Sequence, residues 1–321
     1  MKAFKIFCAV LAATLLAALP ARAGFPEKPI EFVIPFGAGG GADIEGRLLA
    51  EEMGKILGVK VVPVNKPGAG GAITYTHVKN AKPDGYTVAW NSTSILTSTN
   101  IGNVDFDYTA LAHIGRVEFQ PMPFAVKADA PWKTLGDFAA DCKANPGKFK
   151  VANSTSGSAT HLAAIAVANA LGCEVIHLPV GIKRRNASVL SGEADAMIAP
   201  LTGALNLAKA GKIRLLAIPS GERNAVIKDV PTAAELGYDA HLDLFRGLSV
   251  PKGTPDAVKA KLADAMIAAA KSDAFTALAA KKGFTIAPLG HADFEKMLAA
   301  ENEVVKGIMQ AAGLYKSKKA N

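Results

Sequence analysis

A glycine-rich turn stands between a strand-like run and a helix-like run near the start of the chain. The stretch FVIPFGAGGGAD covers residues 32–43 and contains Gly37, Gly39, Gly40 and Gly41. The first N–H groups of a helix lack partners within the helix, and the helix dipole favours negative charge there. Glycines let an anion approach the backbone closely. The turn therefore predicts a site for a phosphate or a carboxylate.

Two more turns have a composition suited to the same chemistry. The stretch NSTSGSATH, residues 153–161, follows a strand-like run, is rich in hydroxyl side chains and opens a helix. The stretch NSTS, residues 91–94, includes Ser92 and Thr93 and also follows a strand. Ligands of open α/β sheets bind at the carboxyl ends of the strands, so we expect these turns to line one site.

The glycine turn has two other interpretations. Residues 37–42 fit the dinucleotide pattern G-x-G-x-x-G/A, but that pattern requires an acidic residue about 20 positions on, at the end of the second strand. Asn65 and Lys66 occupy that place. No G-K-[ST] follows the glycines, which excludes a Walker loop. A turn that serves only tight packing remains an alternative.

Catalytic and metal-binding patterns are missing from the sequence. The six histidines are scattered without H-E-x-x-H, the cysteines have no metal-site spacing, and there is no G-x-S-x-G. His161 either donates to a ligand or makes a local structural hydrogen bond. Basic and aromatic residues do not alternate in any block, so nucleic-acid binding is not indicated. We expect a binding protein that has no metal, cofactor or catalytic residue.

Strand-like and helix-like segments alternate along the chain, which predicts parallel sheets flanked by helices. Asp43 is placed to cap the helix that follows the glycine turn. Near the C-terminus, Thr254 and Pro255 are predicted to be the N-cap and first residue of another helix. The last helix has one apolar face, with Phe294 and Val305 on it.

The first 23 residues have the pattern of a secretory signal. Lys2 and Lys5 precede an apolar run over residues 6–19, and the ARA of residues 21–23 fits a cleavage site after Ala23. The formal charge would fall from +8 to +5 on removal of this segment, with the loss of two lysines and one arginine. We expect the protein to be exported to an oxidising compartment. Later apolar runs are too short to span a bilayer.

Two cysteines follow the signal segment, Cys142 and Cys173. In an oxidising compartment they form either one disulfide or two buried thiols, and both alternatives remain open.

The chain resembles the Bug-type (TctC) periplasmic solute-binding proteins of tripartite tricarboxylate transporters. The motif P-F-x-A-G-G-x-x-D matches residues 35–43, and VNKPGAGG and AKPDGYTV follow as the next two hallmarks. NPGKFKVANSTSGSATHLA, GKIRLLAI, DVPTAAELGY and VPKGTP come after them in the family's order. These matches cover nearly all of the chain beyond the signal segment.

The resemblance implies an α/β fold with two domains around a cleft, the Venus flytrap of periplasmic binding proteins. We expect one domain to comprise residues 24–122 and 247–321, and the other residues 123–246. It also implies that main-chain N–H groups of both turns hold one carboxylate of the ligand, with Asp43 and His161 as supports. The ligand-binding residues would then be Phe36, Gly37, Ala38, Gly39, Gly40 and Gly41 in the first turn, and Ser154, Thr155, Ser156, Gly157 and Ser158 in the second.

The chain departs from the family pattern in the far half of the pocket. HLPVGIKRRNAS, residues 177–188, has Val180 where the family commonly has tyrosine, and a basic run follows it. Lys183, Arg184 or Arg185 would pair with a second carboxylate, or the run is a solvated helix start. The stretch LFRGL replaces a tryptophan-containing segment and contributes Phe245 and Arg246 as further candidates.

These features predict a monomeric periplasmic protein that captures a small organic carboxylate and delivers it to a tripartite tricarboxylate-type permease. The basic residues favour a di- or tricarboxylate, aliphatic or aromatic. One alternative partner is a sensor kinase that recognises the closed form. The other alternative function is an exported α/β enzyme.

Overall fold

The computed structural model describes residues 24–317. The predicted signal segment, residues 1–23, lies outside this range. None of the helices in residues 24–317 is long and apolar enough to cross a membrane.

Strands and helices alternate over the described chain. The strands are β1 (Ile30–Ile34), β2 (Val61–Asn65), β3 (Thr87–Ser92), β4 (Leu111–Gln120), β5 (Phe124–Lys127), β6 (Lys150–Asn153), β7 (Ile176–Pro179), β8 (Ala196–Ile198), β9 (Ile213–Ala217), β10 (Leu244–Pro251) and β11 (Thr285–Leu289). The helices are α1 (Gly41–Leu57), α2 (Ala72–Lys79), α3 (Ser94–Asn100), α4 (Leu135–Ala144), α5 (Ala159–Leu171), α6 (Ile182–Ser191), α7 (Leu201–Lys209), α8 (Asp256–Ala270), α9 (Asp273–Lys282) and α10 (His291–Ala311).

The strands form two sheets, and each sheet is the centre of one lobe. The first lobe has the order β11-β4-β10-β3-β1-β2 and includes α1–α3 and α8–α10. The second lobe has the order β7-β6-β8-β5-β9 and includes α4–α7. The chain crosses between the sheets twice, from β4 to β5 and from β9 to β10. The predicted two-domain α/β fold is confirmed.

The strand pairing is more mixed than predicted. β1 is parallel to β2 and β3, and β6 is parallel to β7 and β8. β10 instead lies antiparallel between β3 and β4, and β5 lies antiparallel between β8 and β9. The antiparallel pairs arise where the chain changes lobe, because β5 and β10 enter their sheets from the opposite end.

Apolar side chains on both faces of β1 hold the first sheet between two layers of helices. Phe32 and Ile34 belong to the cluster under α1 and α8, whereas Val33 belongs to the cluster on the other face. All three are fully buried. A strand covered on both faces reads as a continuous apolar run, and this explains the sequence pattern. On the far side, α10 buries Phe294, Leu298, Val305 and Met309, as its apolar face predicts.

The two predicted helix caps are wrong. Gly40 is the N-cap of α1, and Asp43 lies in the first helical turn. Pro255 is the N-cap of α8, and the Thr254 hydroxyl donates to the Pro251 carbonyl at 2.8 Å. Both helices begin one or more residues away from the predicted position because each polar side chain bonds to the preceding loop.

Cys142 and Cys173 form a disulfide with their Cα atoms 5.7 Å apart. The bond joins the last turn of α4 to the residue after the α5 C-cap, Gly172. The disulfide therefore links α4 to the C-terminal end of α5, whereas the Ser154–Ser158 turn lies at the N-terminal end of α5.

Candidate functional site

The first predicted turn joins β1 to α1 and leaves the start of the helix open. Gly40 is the N-cap, and no side chain of residues 24–317 caps the helix. Gly39 has a φ of +80°, which glycine adopts without strain. A Cβ atom at Gly37 or Gly39 would meet no atom within 4 Å. The first N–H groups of α1 thus lack a side-chain partner and lie beside open space, as an anion site requires. Gly37, Ala38 and Gly39 are exposed, and Phe36, Gly40 and Gly41 are half-buried.

Asp43 holds this turn in shape. Its Oδ2 accepts the Gly39 N–H at 2.9 Å, and its Oδ1 accepts from Arg47 Nε and Asn65 Nδ2, both at 2.8 Å. Asn65 Nδ2 also donates to the Phe36 carbonyl at 2.9 Å. Burial raises the pKa of Asp43, but these hydrogen bonds outweigh burial and lower it below its usual value. Asp43 is therefore ionised and stabilises the turn. Asn65 occupies the position where a dinucleotide-binding site has an acidic residue.

The second predicted turn follows β6 and opens α5. Ser158 is the N-cap and its Oγ accepts the His161 N–H at 3.3 Å. Gly157 has a φ of +70° and donates its N–H to His161 Nδ1 at 2.9 Å. The Ser154 N–H donates to Thr160 Oγ1 at 3.0 Å. The backbone N–H groups of Ser154 and Gly157 are therefore used within the turn. Thr155 and Ser156 are exposed.

His161 is a neutral support of this turn. Since an amide N–H can only donate, Nδ1 must accept from Gly157 and the ring proton lies on Nε2. Burial and the neighbouring His177 lower the pKa of His161 to about 4. The two imidazole rings meet edge to face with centroids 4.8 Å apart.

The third turn is buried inside the first lobe. Ser92 Oγ accepts the Ser94 N–H at 3.1 Å and lies 2.8 Å from Ser94 Oγ. Thr93 Oγ1 accepts the Phe245 N–H at 3.1 Å. The hydroxyls of Ser92 and Thr93 thus fix the end of β3 against the start of β10.

The structure separates the three members of the basic run. Lys183 is exposed, and Arg184 is an exposed residue whose Nη2 pairs with Glu193 at 2.8 Å. Arg185 is only 4% exposed, and its Nη1 donates to Ser154 Oγ at 2.7 Å. Only Arg185 of the three is therefore brought to one of the predicted turns.

Phe245 and Arg246 point to opposite faces of β10. The Phe245 ring packs edge to face on Phe294 of α10, with centroids 5.6 Å apart, and lines a cavity of about 330 Å³ on that side with charged residues such as Arg116. Arg246 lies on the side of the glycine turn, with its guanidinium 5.6 Å from the Phe36 ring centroid. Of this pair, the structure brings Arg246 to the turn.

A buried charged network surrounds Arg246. Its Nε donates to Glu45 Oε2 at 2.6 Å and lies 3.5 Å from Glu118 Oε1. Burial and the adjacent Glu45 carboxylate raise the pKa of Glu118 well above its usual value, which favours its protonated form. Arg246 Nη1 is buried and has no hydrogen-bond partner among the described residues. The network therefore leaves the two N–H groups of Arg246 Nη1 without a partner among the described residues.

The first turn of α7 bridges the two lobes at this network. Thr202 Oγ1 lies 3.0 Å from Glu45 Oε1 and 2.6 Å from Gln120 Oε1, and a Cβ atom at Gly41 would lie 3.0 Å from Thr202 Cγ2. The next residue, Gly203, packs against Arg185: a Cβ atom there would lie 3.5 Å from Nη2. The first turn thus contacts Thr202 of α7 through Gly41. The second turn is linked to the next residue, Gly203, through Arg185, which bonds to Ser154.

The sequence did not predict the contribution of Glu45, Glu118, Gln120 and Thr202. Glu45 shares its helix with Glu51 and Glu52, and no local pattern distinguishes it from them. Glu118 and Gln120 lie on β4, a strand that was not predicted from the sequence. Arg246 was recognised as a candidate from its place in LFRGL.

The site has the donors for an anion. Within residues 24–317 there is no cluster of three or more His, Cys, Asp or Glu side chains that would hold a metal ion. The open helix start of α1 and the unused N–H groups of Arg246 Nη1 instead present hydrogen-bond donors, which suit a carboxylate.

Comparison with known proteins identifies the family. Residues 46–314 match the family model described as Tripartite tricarboxylate transporter family receptor. A UPF0065 protein from the gbd 5′ region of Cupriavidus necator is 32% identical over 313 residues, which cover 96% of each chain.

Solved structures agree with this assignment. A TctC solute-binding protein from Polaromonas, without ligand, is 32% identical with a TM-score of 0.76, over 90% of this chain and 100% of that chain. MatC from Rhodopseudomonas palustris, with bound malate, is 25% identical with a TM-score of 0.76, over 88% of this chain and 99% of that chain. The family is one of receptors and not of enzymes. The chain therefore belongs to the tripartite tricarboxylate transporter receptor family and is a periplasmic solute-binding protein.

Proposed function

We propose that this protein captures a di- or tricarboxylate between its lobes and delivers it to a tripartite tricarboxylate-type permease. One carboxylate of the ligand binds at the glycine turn of residues 36–41, where the start of α1 offers backbone N–H groups. The main support for this proposal is that no described side chain caps the start of α1. Asp43 fixes the conformation of the turn by accepting the Gly39 N–H. Backbone donors bind a carboxylate without a counter-ion to desolvate.

The similar chains support a carboxylate as the ligand. MatC, solved with bound malate, shares the fold and a quarter of the aligned residues. The charges at the site support the same ligand class. Arg185 and Arg246 are both buried, and among the described residues only Glu45 and Glu118 form ion pairs with either of them, the latter with a raised pKa that favours its neutral form. An anionic ligand would offset this positive excess.

Residues 1–23 would direct export to the periplasm and would then be removed. The mass of the protein recovered from the periplasm would then correspond to a chain that starts at Gly24. A retained signal segment would contradict this step without affecting the ligand assignment.

A ligand screen tests the proposal. We expect di- and tricarboxylates to raise the melting temperature of residues 24–321, because a ligand at 1,000 times its Kd stabilises a protein by about 4 kcal/mol. Calorimetry of each hit gives the Kd, and NAD and acidic amino acids serve as comparison ligands. A shift with NAD alone, or chemical turnover of a bound carboxylate, would overturn the proposal.

Delivery to the permease requires a separate assay. Deletion of the gene should abolish uptake of the radiolabelled carboxylate by whole cells, and the wild-type gene should restore it. Unchanged uptake would contradict delivery to the permease and would favour a sensor kinase as the partner.

A further inference from the structure

Arg185 is buried without a negatively charged partner. Its side chain makes no ion pair with any described residue, and its hydrogen bond to Ser154 Oγ is through Nη1. Nε is buried and has no partner among the described residues. A buried guanidinium that lacks a counter-charge lowers the stability of the protein, a cost that a purely structural residue would not impose. The position therefore suits an acidic group that the described part of the chain does not supply.

The unused edge of the guanidinium has the geometry that carboxylates prefer. Nε and Nη2 lie on one side of the planar group and can make two parallel N–H···O bonds to one carboxylate. Nη1, on the other side, is held by Ser154. Ser154 thus fixes the plane of the guanidinium and leaves the bidentate edge available.

The surroundings place this edge at the junction of the lobes. Nη2 is next to Gly203, and Gly203 follows Thr202, which bonds to Glu45 and Gln120 of the first lobe. A Cβ atom at position 203 would be in van der Waals contact with Nη2, whereas glycine leaves this side of the guanidinium uncovered. Asn153, the residue before Ser154, has a buried side-chain oxygen that accepts no hydrogen bond from any of residues 24–317, so the same turn holds a second unpartnered polar atom.

We propose that Arg185 is the specificity-determining residue for the second carboxylate of the ligand, and that the ligand is a dicarboxylate anchored at both ends. The first carboxylate lies at the glycine turn of residues 36–41, and the second pairs with the Nε/Nη2 edge of Arg185. This inference rests on the proposed function. It excludes Lys183 and Arg184 from the pocket although they are adjacent in sequence.

The affinity test uses matched ligands. Succinate and malate are compared with their monoamides, which keep one carboxylate and replace the other by a neutral group of the same size. We expect the wild type to bind the diacids roughly 10- to 100-fold more tightly than the monoamides, and Arg185→Met to reduce that ratio to about one. Arg184→Met is the matched control, and its affinities should equal those of the wild type.

A second readout does not depend on ligand. Removing an uncompensated buried charge should raise the urea midpoint of the ligand-free protein, so Arg185→Met should be more stable than the wild type. Arg184→Met should unfold at about the wild-type midpoint, since its ion pair is exposed. A destabilised Arg185→Met protein would make Arg185 a structural residue and overturn the inference.

The outcomes separate the two proposals. If the wild type binds diacids and monoamides equally, Arg185 has no role in specificity, but carboxylate capture stands. If the wild type binds no carboxylate at all, the proposed function fails, and the inference fails with it.

Discussion

At the scale of single residues, the site depends on where glycine exposes the backbone. Gly40 has a φ of −80° and ψ of 170°, values that any residue adopts, and a Cβ atom there would meet only the Gly37 carbonyl oxygen at 3.7 Å. Glycine is therefore not needed at position 40 for the fold. Its benefit is access to the first N–H groups of α1.

Gly40→Leu should consequently bind the carboxylate roughly 10- to 100-fold more weakly, because the leucine side chain covers donors worth about 1.5–3 kcal/mol. Calorimetry measures this loss. Gly290→Leu is the matched control, since Gly290 is also an N-cap with extended backbone and open space around it. Both variants should melt close to the wild type. Equal affinities of the two variants would remove the turn from the site.

At the scale of elements, α5 is held at both ends by different chemistry. Its first turn carries the Ser158 cap and the His161 hydrogen bond to Gly157, and its last turn is followed by the disulfide of Cys173 with Cys142. Thirteen residues separate the ends, or about 20 Å at 1.5 Å per residue. The disulfide and the proposed ligand-binding turn thus lie at opposite ends of one helix.

Replacing both cysteines by serine should therefore destabilise the protein without weakening binding. The disulfide closes a segment with a sequence separation of 31 residues, for which chain entropy predicts a loss of about 3–4 kcal/mol. The urea midpoint should fall, and the Kd for carboxylate should stay within about twofold. Adding a reductant to the wild type should reproduce the shift in midpoint. A large loss of affinity would show that the disulfide also shapes the turn.

At the scale of the whole molecule, the lobes share a buried apolar cluster and several polar contacts, and the polar contacts at the cleft must break if it opens. Thr202 bonds to Glu45 and Gln120 across the lobes, and a Cβ atom at Gly157 would lie 2.2 Å from Ile101 Cδ1. The apparent affinity of a hinged protein depends on the fraction of molecules that are closed. These contacts favour closure before any ligand binds.

Thr202→Val removes the hydroxyl that lies within hydrogen-bond distance of Glu45 and Gln120, and it keeps the side-chain size. We expect the ligand-free variant to have a larger radius of gyration by small-angle X-ray scattering and an affinity about tenfold lower. Saturating ligand should restore the wild-type radius. Thr76→Val, in an exposed position of α2, is the control. Identical scattering of the two variants would mean that Thr202 does not bias closure.

Local patterns in the sequence were enough for β1 and for the turns that open α1 and α5, but not for β4. β1 is buried on both faces and therefore reads as an unbroken apolar run, and glycines or hydroxyl residues mark the turns that open α1 and α5. The ordered motifs identified the family. The helix caps at Asp43 and Thr254 were wrong because each side chain bonds to a loop that composition does not reveal.

Only the tertiary structure decided which charges face one another. Glu45 and Arg246 are 201 residues apart in sequence, and Glu45 and Thr202 are 157 apart. The basic run offers three adjacent cations, and the pitch of α6 buries Arg185 while Lys183 and Arg184 remain in solvent. The sequence by itself thus determined the segments and their chemical character, since these depend on neighbours a few residues apart. The partners of each charge depend on how distant segments pack, and no local pattern contains that information.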